Sequence, residues 1–147
     1  MGKKILPNDI LLGEVSRLVA EGESVTIMTK GTSMLPFIVG GRDSVRLESP
    51  ADLQPGMIVL AEVQDGRYVL HRIISIEGEA VTLMGDGNIA GVERCRASDV
   101  KAVAATIIRP DKEIDANGKK HQRKARMWKT LLPVRRYLLA VYRRLFI

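Results

Sequence analysis

Apolar positions recur with two different periods along this chain, and the switch between them outlines a fold. Over 10–20, Ile10, Leu11, Val15, Leu18 and Val19 cluster at helical spacing, and Asn8-Asp9 can cap that helix. The polar stretch Glu21, Gly22, Glu23 and Ser24 ends it. Short β-rich runs follow at 25–28, 44–47, 57–63, 68–76, 80–84 and 100–108. Pro55-Gly56, Asp65-Gly66 and Glu77-Gly78 are turn dipeptides between them, so 57–84 reads as a meander of two hairpins. The chain is therefore expected to be mainly β, with an N-terminal helix before the strands.

Helical spacing returns near the C-terminus. Over 128–147, Leu131, Val134, Tyr137, Leu138, Val141, Tyr142 and Leu145 fill one face of an expected amphipathic helix. Arg136, Arg143 and Arg144 lie opposite, with Lys129, and Leu132-Pro133 suits the first turn. Charge sharpens this division. Residues 119–147 hold ten Lys and Arg and no acid, leaving 13 of the 23 basic residues against all 17 acidic ones elsewhere. Asn117-Gly118 is a turn dipeptide at the join, so 1–118 reads as a mildly acidic body and 119–147 as a basic tail. Trp128 beside Arg135, Arg136, Arg143 and Arg144 suits a helix lying in the headgroup layer of an anionic membrane surface. Docking of the apolar face on the body is one alternative, although it does not need ten cations. Nucleic-acid binding ranks last, since no helix-turn-helix or RNA-binding motif accompanies the charge.

Composition narrows the class. A chain of 147 residues with 46% apolar content suits one domain with a real core rather than two. With Cys95 the only cysteine, an internal disulfide and a Cys-based zinc site are excluded, and with only His71 and His121 besides, no metal or other cofactor is expected. Cys95, between Arg94 and Arg96, reads as a small core residue or as a thiol acidified by its neighbours. Lys3-Lys4 precede an apolar run broken by Pro7, Asn8 and Asp9, without a cleavage-site pattern, and no stretch reaches the roughly 18 apolar residues of a membrane span. The expected location is cytoplasmic, peripheral on the inner face of the membrane through the tail.

Three segments carry candidate chemistry in the order nucleophile, base, acid. Gly31-Thr32-Ser33-Met34-Leu35-Pro36 holds a serine in a rigid turn, Val69-Leu70-His71-Arg72-Ile73 a histidine on a strand, and Gly85-Asp86-Gly87-Asn88 an aspartate in a turn. A serine hydroxyl needs a base to take its proton, neutral imidazole suits that task, and a carboxylate on the other ring nitrogen fixes the tautomer. Alternation places His71 with Val69, Ile73 and Ser75 on one face of its strand, where apolar neighbours favour the neutral ring. The plainer readings are a core histidine satisfied by a carbonyl and an aspartate capping its own turn.

Together these segments resemble the type I signal peptidases and the wider clan that includes the self-cleaving repressors of the SOS response, over 24–109. Ser33-Met34-Leu35-Pro36 is similar to the family's nucleophile motif, Asp43-Ser44-Val45 to the strand that follows, and Gln54-Pro55-Gly56-Met57-Ile58-Val59 to its Pro-Gly-Asp-Ile-Val element. His71-Arg72-Ile73 resembles the general-base box of the endoplasmic-reticulum and archaeal branch, which has histidine where the bacterial branch has lysine. The resemblance implies the β fold shared by signal peptidases and SOS-repressor C-terminal domains. It also implies a serine endopeptidase in which Ser33 attacks and His71 acts as general base on an extended peptide or precursor with small residues before the cut.

Gly85-Asp86-Gly87-Asn88 resembles the family's last box. The histidine branch places its triad acid a few residues further on, where this chain has Gly91-Val92-Glu93. Asp86 and Glu93 both remain candidates to orient His71, with Asp86 favoured for its ordered turn. Gly31 stands where some members carry a hydroxyl, so the oxyanion site falls to the Ser33 N–H, with Thr32 beside it. The family's transmembrane anchor has no counterpart in the N-terminal sequence. Two other functions stay open: a catalytically degenerate peptide-binding or membrane-associated accessory domain, and self-cleavage at Ala90-Gly91. The second is disfavoured, because the repressors cut before their nucleophile and use a lysine base. Nothing in the sequence sets an oligomeric state.

Overall fold

The computed structural model describes residues 8–146. Helix α1 spans Asn8–Ala20. Its end follows from local chemistry: Gly22 sits at φ +91°, and the Gly22 and Glu23 N–H groups donate to the Val19 and Leu18 carbonyls at 2.9 and 3.2 Å. Val15 and Val19 are buried, and Leu12 and Leu18 pack half-buried against the same core.

Eight strands follow: β1 Val25–Met28, β2 Ser44–Glu48, β3 Ile58–Gln64, β4 Arg67–Glu77, β5 Ala80–Met84, β6 Glu93–Arg96, β7 Val100–Ile108 and β8 Glu113–Asp115. All pairings are antiparallel, in the order β1-β2-β7-β3-β4-β5-β6, with β8 on β7. The mainly β expectation and the 57–84 meander therefore hold. Strands β6 and β8 were not expected. Glu93-Arg94-Cys95-Arg96 has no apolar alternation, and β8 has only three residues; each is a strand because its partner supplies the ladder, Val81 facing Cys95 and Ile107 facing Ile114.

The period of two along β3 splits the interior. Ile58 and Leu60 join the core beneath α1, with Val45, Leu47, Ala102, Ala104 and Ile107. Val59 and Ala61 join a second core with Ile73, Val81, Leu83, Val100 and Val103. Register shifts in the β2–β7, β3–β4, β3–β7 and β4–β5 pairs bend the sheet between the two cores.

The basic tail differs from the single helix expected over 128–147. Helix α2 spans Lys119–Thr130, a short 3-10 turn covers Leu132–Val134, and helix α3 spans Arg135–Phe146. Pro133 lies in the intervening turn, where its missing N–H costs no helical bond. His121, Ala125, Arg135 and Leu139 are buried against the body. Among the described residues no helix is long and apolar enough to cross a membrane.

Candidate active site

Ser33 sits in the loop between β1 and β2, and that loop is pinned at its neck. The N–H and Oγ1–H of Thr29 both donate to the Asp43 carbonyl, at 3.0 and 2.7 Å, and the Gly41 N–H donates to the Thr29 carbonyl at 2.9 Å. The fully buried Asp43 carboxylate accepts from the Val39 N–H at 2.8 Å and from Arg42 at 2.7 and 2.9 Å. Buried Met34 and Leu35 hold the turn from below. Gly31 sits at φ +81°, and a Cβ on Gly40 would overlap the Gly31 backbone.

His71 lies on β4 opposite Val59 and is 8% exposed. It shares a cavity of about 220 Å³ with Ser33, Ile27, Met28 and Leu70. Gly85 brings the two candidate catalytic residues to one place. A Cβ there would overlap the Ser33 carbonyl oxygen and lie 3.2 Å from His71 Cδ2, the ring atom bonded to Nε2. The Gly87 N–H donates to the same Ser33 carbonyl at 2.8 Å, and a Cβ on Gly87 would overlap the Thr32 carbonyl. Two turns thus meet backbone to backbone, which only glycine permits at 85 and 87. Burial holds the His71 pKa below its ordinary 6.5, against the opposing pull of Glu93 and Asp86, so the ring is neutral at pH 7.

Neither candidate acid orients that ring. The Asp86 carboxylate is held by Arg72, with Nε at 2.9 Å and Nη2 at 2.7 Å. Glu93 lies on β6, where its carboxylate pairs with Arg67 at 2.6 Å, an interaction that holds it below the usual glutamate range. His71 Nδ1 is buried with no hydrogen-bond partner among the described residues, a cost of about 1–3 kcal/mol. Strand alternation is the cause. His71 and Arg72 are adjacent on β4 and point to opposite faces, and Asp86 lies on the arginine's side.

Arg72 is the hub that sequence reasoning missed. Besides Asp86, it donates through Nη1 to the Gly56 carbonyl at 2.8 Å, lies 5.2 Å from the Phe37 ring centre, and meets His121 Nε2 at 3.2 Å. Arginine only donates, so His121 accepts at Nε2 and carries its proton on Nδ1. Burial and the Arg72 charge push the His121 pKa down to about 4. The available sequence signal was the Arg72 position next to the candidate base, on the opposite face of its strand.

The tail grips the same turn from outside. Trp128 Nε1–H donates to the Asp86 carbonyl at 2.7 Å. Arg135, expected at the membrane, is 4% exposed: it donates to the Asn88 and Trp128 carbonyls at 3.0 and 3.2 Å and lies 5.1 Å from the Trp128 ring centre. Both residues belong to the body interface rather than to a free surface. Arg136, Arg143 and Arg144 are exposed.

For the oxyanion site, no backbone carbonyl takes the Ser33 N–H among the described residues, and Thr32 is exposed beside it. Cys95 is half-buried on β6, and burial raises its thiol pKa, contrary to an arginine-acidified thiol. Among the described residues no three His, Cys, Asp or Glu side chains gather as a metal site. No family model matches the chain, and no curated protein matches it.

Proposed function

We propose that the protein is a serine endopeptidase that works with a Ser33–His71 dyad on extended peptides. The observation that carries this reading is that Ser33 and His71 line one cavity, with the ring neutral beside a rigid serine turn. In the first step Ser33 Oγ attacks the scissile carbonyl while His71 takes its proton. His71 then gives that proton to the leaving amine, and an acyl-enzyme remains for water to resolve. The Ser33 N–H faces the developing oxyanion. Among the described residues strand β1 pairs only with β2, and its residues Ile27 and Met28 line the cavity, so a peptide can add along its other edge. The resemblance to signal peptidases adds a preference for small residues before the cut, in precursor-type substrates.

One observation favours a second reading, a peptide-binding accessory domain without turnover. Among the described residues His71 Nδ1 has no acceptor, so none of them fixes the tautomer that a base needs. Incubation with a fluorophosphonate and peptide mapping separates the two. An activated nucleophile gives an adduct at Ser33 that disappears in His71→Ala; an unlabelled Ser33, or equal labelling in both proteins, supports the accessory domain.

A further inference from the structure

The outward face of α3 carries apolar side chains that the body leaves unused. Tyr137, Leu138, Val141 and Leu145 of α3 fall within about 100° of arc on a helix of 3.6 residues per turn, and Val134 precedes them in the 3-10 turn. They are 40 to 69% exposed, whereas the docked edge of α3 is Arg135 and Leu139. A helix stabilised only by docking turns its apolar stripe inward, and this one carries the stripe to the side. Arg144 borders it. Arg136 and Arg143 lie across the helix, about one Debye length from anything the stripe touches. No acid occurs in 119–147.

Charge and apolarity together select the occupant. A second copy would bring two sets of ten cations together, and a nucleic acid would neutralise the cations but leave the apolar stripe in water. An anionic lipid bilayer satisfies both. We infer that this face lies in the headgroup layer of an anionic bilayer, with α3 parallel to the surface, Tyr137, Val141 and Leu145 reaching the acyl boundary and Arg144 at the lipid phosphates. Trp128 and Arg135 remain in the body interface. This binding does not depend on Ser33 being a nucleophile.

Flotation of the full chain with vesicles of phosphatidylglycerol and phosphatidylcholine, against phosphatidylcholine alone, tests it. Binding is expected to anionic vesicles only and to weaken with salt. The triple variant Tyr137→Ser, Val141→Ser, Leu145→Ser, whose sites are exposed and whose fold circular dichroism checks, should bind at least tenfold more weakly. Arg144→Ala should lower partitioning about fivefold. Three results overturn the inference: no anionic-vesicle binding, binding unchanged in the triple serine variant, or a concentration-dependent dimer lost in that variant without vesicle binding. Repeating the assay with Ser33→Ala, which should float like the parent, keeps this result separate from the peptidase reading.

Discussion

Replacing Asp86 by asparagine distinguishes a structural clamp from a catalytic acid. The Arg72 and Asp86 side chains are 6 and 5% exposed and share two charge-assisted hydrogen bonds. Removing one partner of a buried pair costs about 3–5 kcal/mol, because the other charge stays in the interior. Asparagine keeps one acceptor for Arg72, so the lower end applies, about 3 kcal/mol. At about 3 °C per kcal/mol for a chain of this size, the melting temperature should fall by about 10 °C. Peptidase activity, measured where the variant is still folded, should fall by less than about tenfold. Loss of a true triad acid costs about 10⁴-fold in kcat with the geometry intact. The double variant Arg72→Met, Asp86→Leu should regain only part of the lost stability, since a buried pair replaced by apolar groups is often neutral but His121 Nε2 loses its donor. A parent-like melting temperature combined with a 10⁴-fold loss of activity would refute the clamp and reinstate Asp86 as the acid.

Three further outcomes follow from the packing. Gly85→Ala pushes a methyl into the Ser33 carbonyl, so it should lower stability by about 1–3 kcal/mol and reduce activity more than Gly13→Ala, whose methyl would meet only the Tyr68 hydroxyl at 3.8 Å; paired melts and peptide assays compare them. Leu139→Ala, at a 3% exposed position, should cost about 2 kcal/mol and speed amide exchange along α3, whereas Leu145→Ala at 69% exposure should stay within about 0.5 kcal/mol. His121 has a folded pKa near 4 against 6.5 unfolded, so the unfolded chain binds more protons between those values; stability is full above pH 6.5 and declines as pH falls towards 4. Thermal melts from pH 7 to 4.5 should show this decline, with His71 adding to it, and His121→Gln should flatten it; an unchanged slope in that variant contradicts the assignment.

How far the sequence could be read depended on the range of each interaction. The strands at 25–28, 80–84 and 100–108 were legible because local pattern and burial agree there, and β3 shows both faces buried as its apolar run implies. Ser33 and His71 were legible as candidates, and the fold brings them to one cavity. The partner of Asp86 was not legible. Two basic residues, His71 and Arg72, stand side by side on β4, and only the sheet's geometry decides which face the carboxylate meets. Strand β6 escaped for the same reason, since its ladder belongs to β5 rather than to its own pattern. In the tail, amphipathic spacing revealed the apolar stripe but not the break at Leu132–Val134 or the inward turn of Arg135, which follow from Pro133 and from the Asn88 carbonyl.

Digestion of a diverse peptide pool by the full chain, read by mass spectrometry beside Ser33→Ala and His71→Ala, tests the dyad most directly. New termini should appear with the parent protein, share a preference for small residues before the cut, and vanish in both variants. Products that persist in Ser33→Ala, or no products with anionic vesicles present, would contradict a Ser33–His71 peptidase and leave the peptide-binding domain.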